Sequence, residues 1–257
     1  MTHPTRSAQL IASLLVTAFS LSACGGGGDD NPPASSPEGA YSGTLVGSPS
    51  TDFQLLMLEN NEFWTLYGTE FVDGFGVAGF VQGSGSSNSS GYSSSNVRDF
   101  GFSPARAATM SASYNAPAGT ISGTFNNSGA LVSFSGNRIP TTTYNYDAPA
   151  SLAAVVGPWS LEALTGETVA FTIAADGGVT GSTSLACSFT GTLVPRPSGK
   201  NVFNLSIAFG PAPCPLPNQT ASGIGLSIPL VGGGRQLIVA ATNVARTEGM
   251  AAFGTRP

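Results

Sequence analysis

Phe203-Asn204-Leu205-Ser206-Ile207-Ala208-Phe209 alternates large apolar residues with small or polar ones without a break. A period of two puts Phe203, Leu205, Ile207 and Phe209 on one side of an extended strand, opposite Asn204 and Ser206, so one face is buried and the other wet. Val169, Phe171 and Ile173 repeat the pattern, and Asp176-Gly177-Gly178 supplies a turn behind them. The rest of the chain suits such strands. Only 9% of residues are charged while glycine numbers 34, which disfavours long charged helices and favours an all-β chain rich in turns.

Working outward from that strand, the chain divides into two blocks of similar length, 38–140 and 152–257, joined by a polar linker over 141–151. Each opens on Gly-x-aromatic (Gly39-Ala40-Tyr41, Gly157-Pro158-Trp159), and each closes on Phe, Gly, Arg and Pro (Phe134 to Pro140, Phe253 to Pro257). The opening Gly and the closing Arg stand 99 positions apart in both, which reads as a tandem duplication. Eight short strands are expected in each block. In the first, Phe53–Glu59 and Glu62–Tyr67 flank Asn60-Asn61, a pair suited to a two-residue type I′ hairpin. That turn sets Met57 opposite Trp64 and Leu55 opposite Leu66, with Phe53 on the same core-facing side. The run Gly83–Asn96 reads as a loose, Ser-rich hairpin loop. Eight sequential antiparallel strands in so short a block predict a small meander barrel, which removes exposed edges by closing. A β-sandwich is the alternative.

The opening Gly-x-Trp and closing Arg resemble the lipocalin and calycin pattern, in which an Arg from the last strand lies across the first-strand Trp beneath the barrel. The resemblance implies cation–π closures between Trp159 and Arg256 and between Tyr41 and Arg138. It covers the block ends only, and the long C-terminal helix of that family is missing. In size the blocks are closer to the eight-stranded barrels of surface lipoproteins such as the transferrin-binding and factor-H-binding families.

Leu10–Leu21 is an apolar run of about a dozen residues, the length of a signal-peptide core and too short to span a bilayer. It ends in Leu21-Ser22-Ala23-Cys24, which resembles the lipobox of bacterial lipoproteins. That resemblance implies removal of residues 1–23, lipidation of Cys24, and a membrane anchor followed by a flexible Gly-rich tether over 24–37. Gly25 after the Cys points to the outer membrane, so the expected setting is the cell envelope. In an oxidising envelope the two other cysteines, Cys187 and Cys214, are expected to form a disulfide.

Several classes of chemistry are absent. The net charge is −5 with one lysine, Lys200, which argues against nucleic acid. The one histidine, His3, leaves with the signal, and with it any histidine base, Ser-His or Cys-His dyad, or His ligand. No catalytic residue, metal site or cofactor is expected. A hydrolase with paired carboxylates, drawn from Asp52, Glu59, Glu62, Glu70 and Asp73, is the weaker alternative. Trp64, Tyr67, Phe71 and Phe75 fall in an aromatic-rich stretch and are candidate ligand-binding residues, core packing being the plainer reading. The expected role is non-catalytic binding, of a protein partner or of an apolar small molecule in a barrel mouth.

Overall fold

The computed structural model describes residues 36–257; the expected signal and Cys24, and most of the expected tether, lie outside the described residues. Strands β1 (Gly39–Val46), β2 (Asp52–Met57), β3 (Glu62–Phe71), β4 (Gly74–Ser87), β5 (Gly91–Asp99), β6 (Arg106–Asn115), β7 (Thr120–Asn127) and β8 (Ala130–Arg138) pair in sequence order and close, β8 onto β1, into one antiparallel barrel. A second barrel follows from β9 (Gly157–Ala163), β10 (Thr168–Ile173), β11 (Gly178–Thr183), β12 (Ser188–Pro195), β13 (Phe203–Phe209), β14 (Thr220–Pro229), β15 (Arg235–Asn243) and β16 (Gly249–Arg256), with β16 closing onto β9. One turn of 3-10 helix, Leu152–Ala154, precedes it. The alternating strands build the interiors. Phe203, Leu205, Ile207 and Phe209 are buried in the second barrel, among Phe171, Phe189 and Leu193. Phe53, Leu55, Met57, Phe63 and Phe134 fill the first.

The Asn60-Asn61 hairpin differs from its expected form, and the difference changes both faces of the sheet. The Leu58 N–H donates to the Glu62 carbonyl at 2.8 Å and the Asn61 N–H to the Leu58 carbonyl at 3.1 Å, so the loop is three residues long. Only Asn61 has a positive φ, 60°, whereas a type I′ turn needs two such residues. The register therefore slips by one: Met57 faces Phe63, Leu56 faces Trp64 and Gln54 faces Leu66. Because side chains alternate, one slip exchanges the faces. Phe63, Thr65 and Tyr67 point inward with Phe53, Leu55 and Met57, while Trp64 and Leu66 point outward with Leu56 and Leu58.

That outer face is not wet. Leu56, Leu58, Trp64 and Leu66 share one buried cluster with Ile224, Leu226, Ile228 and Ile238 from the outer face of the second barrel. Trp64 stacks on Phe80 at 5.8 Å between ring centres, and Phe80 on Phe100 at 4.7 Å. Buried on both faces, β15 loses its alternation and is buried at every position from Gln236 to Asn243. Polar groups are matched across the junction. Gln236 accepts the Phe75 N–H at 3.0 Å and donates to the Phe75 carbonyl at 2.8 Å, and Arg196 pairs with Glu59 at 2.8 Å. The linker joins this contact through Tyr144 and Tyr146, both buried in the same cluster. The two barrels thus belong to one compact unit, Ala34–Pro257.

The Ser-rich run is strand rather than loop. β4 and β5 continue through it to a tight turn at Asn88, whose Oδ1 accepts the N–H groups of Ser90 and Gly91 at 3.1 and 2.8 Å. Small residues are needed there, since a Cβ on Gly85 would sit 2.1 Å from the Ser93 carbonyl oxygen.

Candidate functional site

Each barrel has one end shut by an arginine and one end ringed by hairpin loops. At the shut ends the two barrels repeat the same set of contacts, with one arginine bond more in the second. Arg256 lies 4.1 Å over the Trp159 ring and Arg138 lies 5.7 Å over the Tyr41 ring. Trp159 Nε1–H donates to the carbonyl four residues upstream, Val155, at 2.7 Å, and the Tyr41 hydroxyl does the same to Pro37 at 2.9 Å. Each arginine also donates to the carbonyl just before the opening glycine, Arg256 to Val156 at 2.9 Å and Arg138 to Glu38 at 2.8 Å. Those glycines carry positive φ, 146° at Gly39 and 106° at Gly157. A Cβ there would meet Arg138 at 3.1 Å and Arg256 at 3.2 Å. The ends are sealed and hold no site.

The opposite end of the first barrel is open. A cavity of about 430 Å³ enters between the β1–β2, β5–β6 and β7–β8 connections and reaches down to Val81, Ala108, Phe125 and Val132. That volume lies in the usual range for small-molecule sites. Its wall is apolar apart from a short list of polar groups. Asp99 is held from three directions, accepting the Tyr67 hydroxyl at 2.9 Å, the Gly101 N–H at 3.0 Å and Asn127 Nδ2–H at 3.3 Å. Burial, and then the charge of Asp99, push the Tyr67 phenol well above its ordinary range, so it stays protonated and donates. Thr65, 2% exposed, lines the wall and keeps a buried hydroxyl with no hydrogen-bond partner. Arg106 stands at the lip, its guanidinium 3.7 Å over the Phe102 ring. Phe102, exposed and apolar, lines the opening beneath it.

The corresponding end of the second barrel is narrower. Cys187 and Cys214 form a disulfide with S–S 2.04 Å, which draws the Pro-rich β13–β14 loop over the opening, and Cys214 and Leu216 are buried in the barrel core. What remains is an apolar space of about 140 Å³ lined by Phe171, Phe189, Leu205, Ile207 and Pro215, the size of an engineered cavity that admits benzene.

No protein-family model matches the chain, and no curated protein is similar to it. A solved structure is similar over 85% of this chain and 93% of its own: a protein of unknown function from the DUF3598 family of Nostoc punctiforme PCC 73102, at 14% identity and a TM-score of 0.25. A likeness of that distance transfers no role.

The four candidate aromatics do not come together. Tyr67 lines the open mouth, Trp64 and Phe75 are buried between the barrels, and Phe71 is exposed beside a groove outside the mouth. Of the carboxylates, Asp52 and Glu70 come together and the other three stand apart. Glu59 is tied to Arg196. Glu62 accepts from Trp64 Nε1–H at 2.9 Å and Gln82 Nε2–H at 3.1 Å, and Asp73 is an exposed turn residue. Glu70 and Asp52 line a groove with Tyr144 and Ile228, outside the barrel mouth. Among the described residues no group of three or more His, Cys, Asp or Glu is placed to hold a metal ion. The mouth residues Asp99, Arg106 and Thr65 escaped the sequence reading, yet parity marks them. Arg106 shares its face with Ala108, Met110, Ala112 and Tyr114, and Asp99 with Val97, so each sets a charge in line with core-facing residues.

Proposed function

We propose that this chain is a lipid-anchored protein of the cell envelope that works by binding, and that the first barrel holds a small molecule through its open mouth. The anchor rests on Leu21-Ser22-Ala23-Cys24 and the apolar run before it. The binding role is carried by one observation: a cavity of about 430 Å³ inside the first barrel, apolar in depth, with Tyr67, Asp99, Asn127 and Arg106 gathered at its entrance. Small barrels ordinarily fill themselves with side chains, and the second barrel comes nearer to doing so, keeping about 140 Å³. Binding of a protein partner through long polar loops has less support. Gly83–Asn96 is mostly strand, and the loop carrying Cys214 is folded into the second barrel. The protein-partner reading keeps one support, the exposed apolar side chains of the first barrel, Val46, Phe71, Val72, Phe102 and Leu131.

Native mass spectrometry of the full-length protein, purified without denaturation from its own cells, tests the binding role. A bound mass released on unfolding is expected; an empty spectrum together with no uptake of an apolar dye would count against it. Replacing Cys24 by Ser tests the anchor, and the protein is expected to leave the membrane fraction.

A further inference from the structure

The entrance of the first barrel specifies more than an apolar guest. Six of the seven described arginines give at least one N–H to an oxygen acceptor. Arg106 is the exception: its guanidinium is held only by stacking on Phe102, and none of its guanidinium N–H groups has a partner among the described residues. Stacking fixes the plane of a guanidinium while leaving its in-plane donors free, the arrangement that takes a carboxylate or phosphate side-on. The nearest candidate anion is already engaged. Asp99 is the cross-strand partner of Arg106, but its carboxylate is committed to Tyr67, Gly101 and Asn127 and forms no ion pair with it. Below this lip the wall is apolar, formed by Leu45, Val81, Phe125 and Val132. A free cation at the entrance over an apolar shaft describes one ligand class.

We infer that the first barrel takes an amphiphile with an apolar tail and an anionic head, the tail in the shaft and the head on Arg106. This rests on the reading of the mouth as a ligand cavity. The test is calorimetric titration of the full-length protein in lipid nanodiscs, with empty nanodiscs as blank. The probes are decanoate, decyl phosphate, decanol and decyltrimethylammonium. The two anions should bind at least about tenfold more tightly than decanol, as charge-assisted hydrogen bonds imply. Arg106→Gln should erase that advantage, and Arg106→Lys should restore part of it. Preference between the anions separates a carboxylate from a phosphate head. If decanol or the ammonium probe bound as tightly as the anions, or if Arg106→Gln changed nothing, the assignment of the head would be overturned while the cavity reading stood. If none of the four bound, both would fall.

Discussion

The two barrels share a strand order, a sealed end and a spacing from opening glycine to closing arginine, and they part company at their mouths. In the first, short connections leave about 430 Å³ open beneath a carboxylate, a phenol and a free guanidinium. In the second, a disulfide pulls a Pro-rich loop down until about 140 Å³ of apolar space remains. The repeated half of the molecule is what closing a small barrel requires, so it says little about role. The unrepeated half is loop chemistry on a rigid wall, which is where binding functions generally reside. The second barrel also gives an outer face to the junction, which makes it a support for the first.

The comparison can be broken or sharpened by substitution. Replacing both Cys187 and Cys214 by Ser should cost the second barrel about 3 kcal/mol, by loop-closure reasoning, and should open it to an apolar dye. Denaturant unfolding and dye titration read the two effects, and a stable, still closed barrel would show that Leu216 alone holds the lid. Arg256→Ala should destabilise by about 2 kcal/mol, because it removes a close ring contact and donors to two carbonyls, Val156 and Ala154. Arg138→Ala should cost about 1 kcal/mol, since its ring is farther away and only one carbonyl is served. Equal shifts in melting temperature would mean that ring distance does not set the difference. The smallest effect is a gain. Thr65→Val removes a buried hydroxyl that has no partner and should raise the stability of the first barrel by up to about 1 kcal/mol. A loss would show that the hydroxyl is satisfied in solution.

Much of the fold was legible because alternation and glycine placement are local signals. Phe203 to Phe209 displays its inward face, and Gly157, Trp159 and Arg256 mark where a barrel begins and ends. What stayed hidden was set by contacts distant in sequence. The expectation of one wet face per strand fails where two barrels meet. The nearly unbroken apolar run from Leu237 to Ala241 belongs to a strand covered on both sides, a cue to the junction that alternation alone does not expose. The hairpin register turned on whether one Asn or two adopted positive φ, and that choice decided whether Trp64 faced the core or the neighbouring barrel. The mouth was hidden for a related reason. Its polar groups come from β3, β5, β6 and β7, and only closure of the barrel brings Tyr67 to Asp99 across 32 residues of chain.

The central claim is that the first barrel is open to a guest and the second is not. Uptake of 1-aminoanthracene by full-length protein carrying either Ala108→Phe, which fills the first cavity, or Ala252→Leu, which fills the second, tests it most directly. The account predicts that Ala108→Phe abolishes uptake and Ala252→Leu leaves it intact. Uptake that survives Ala108→Phe and disappears with Ala252→Leu would contradict it.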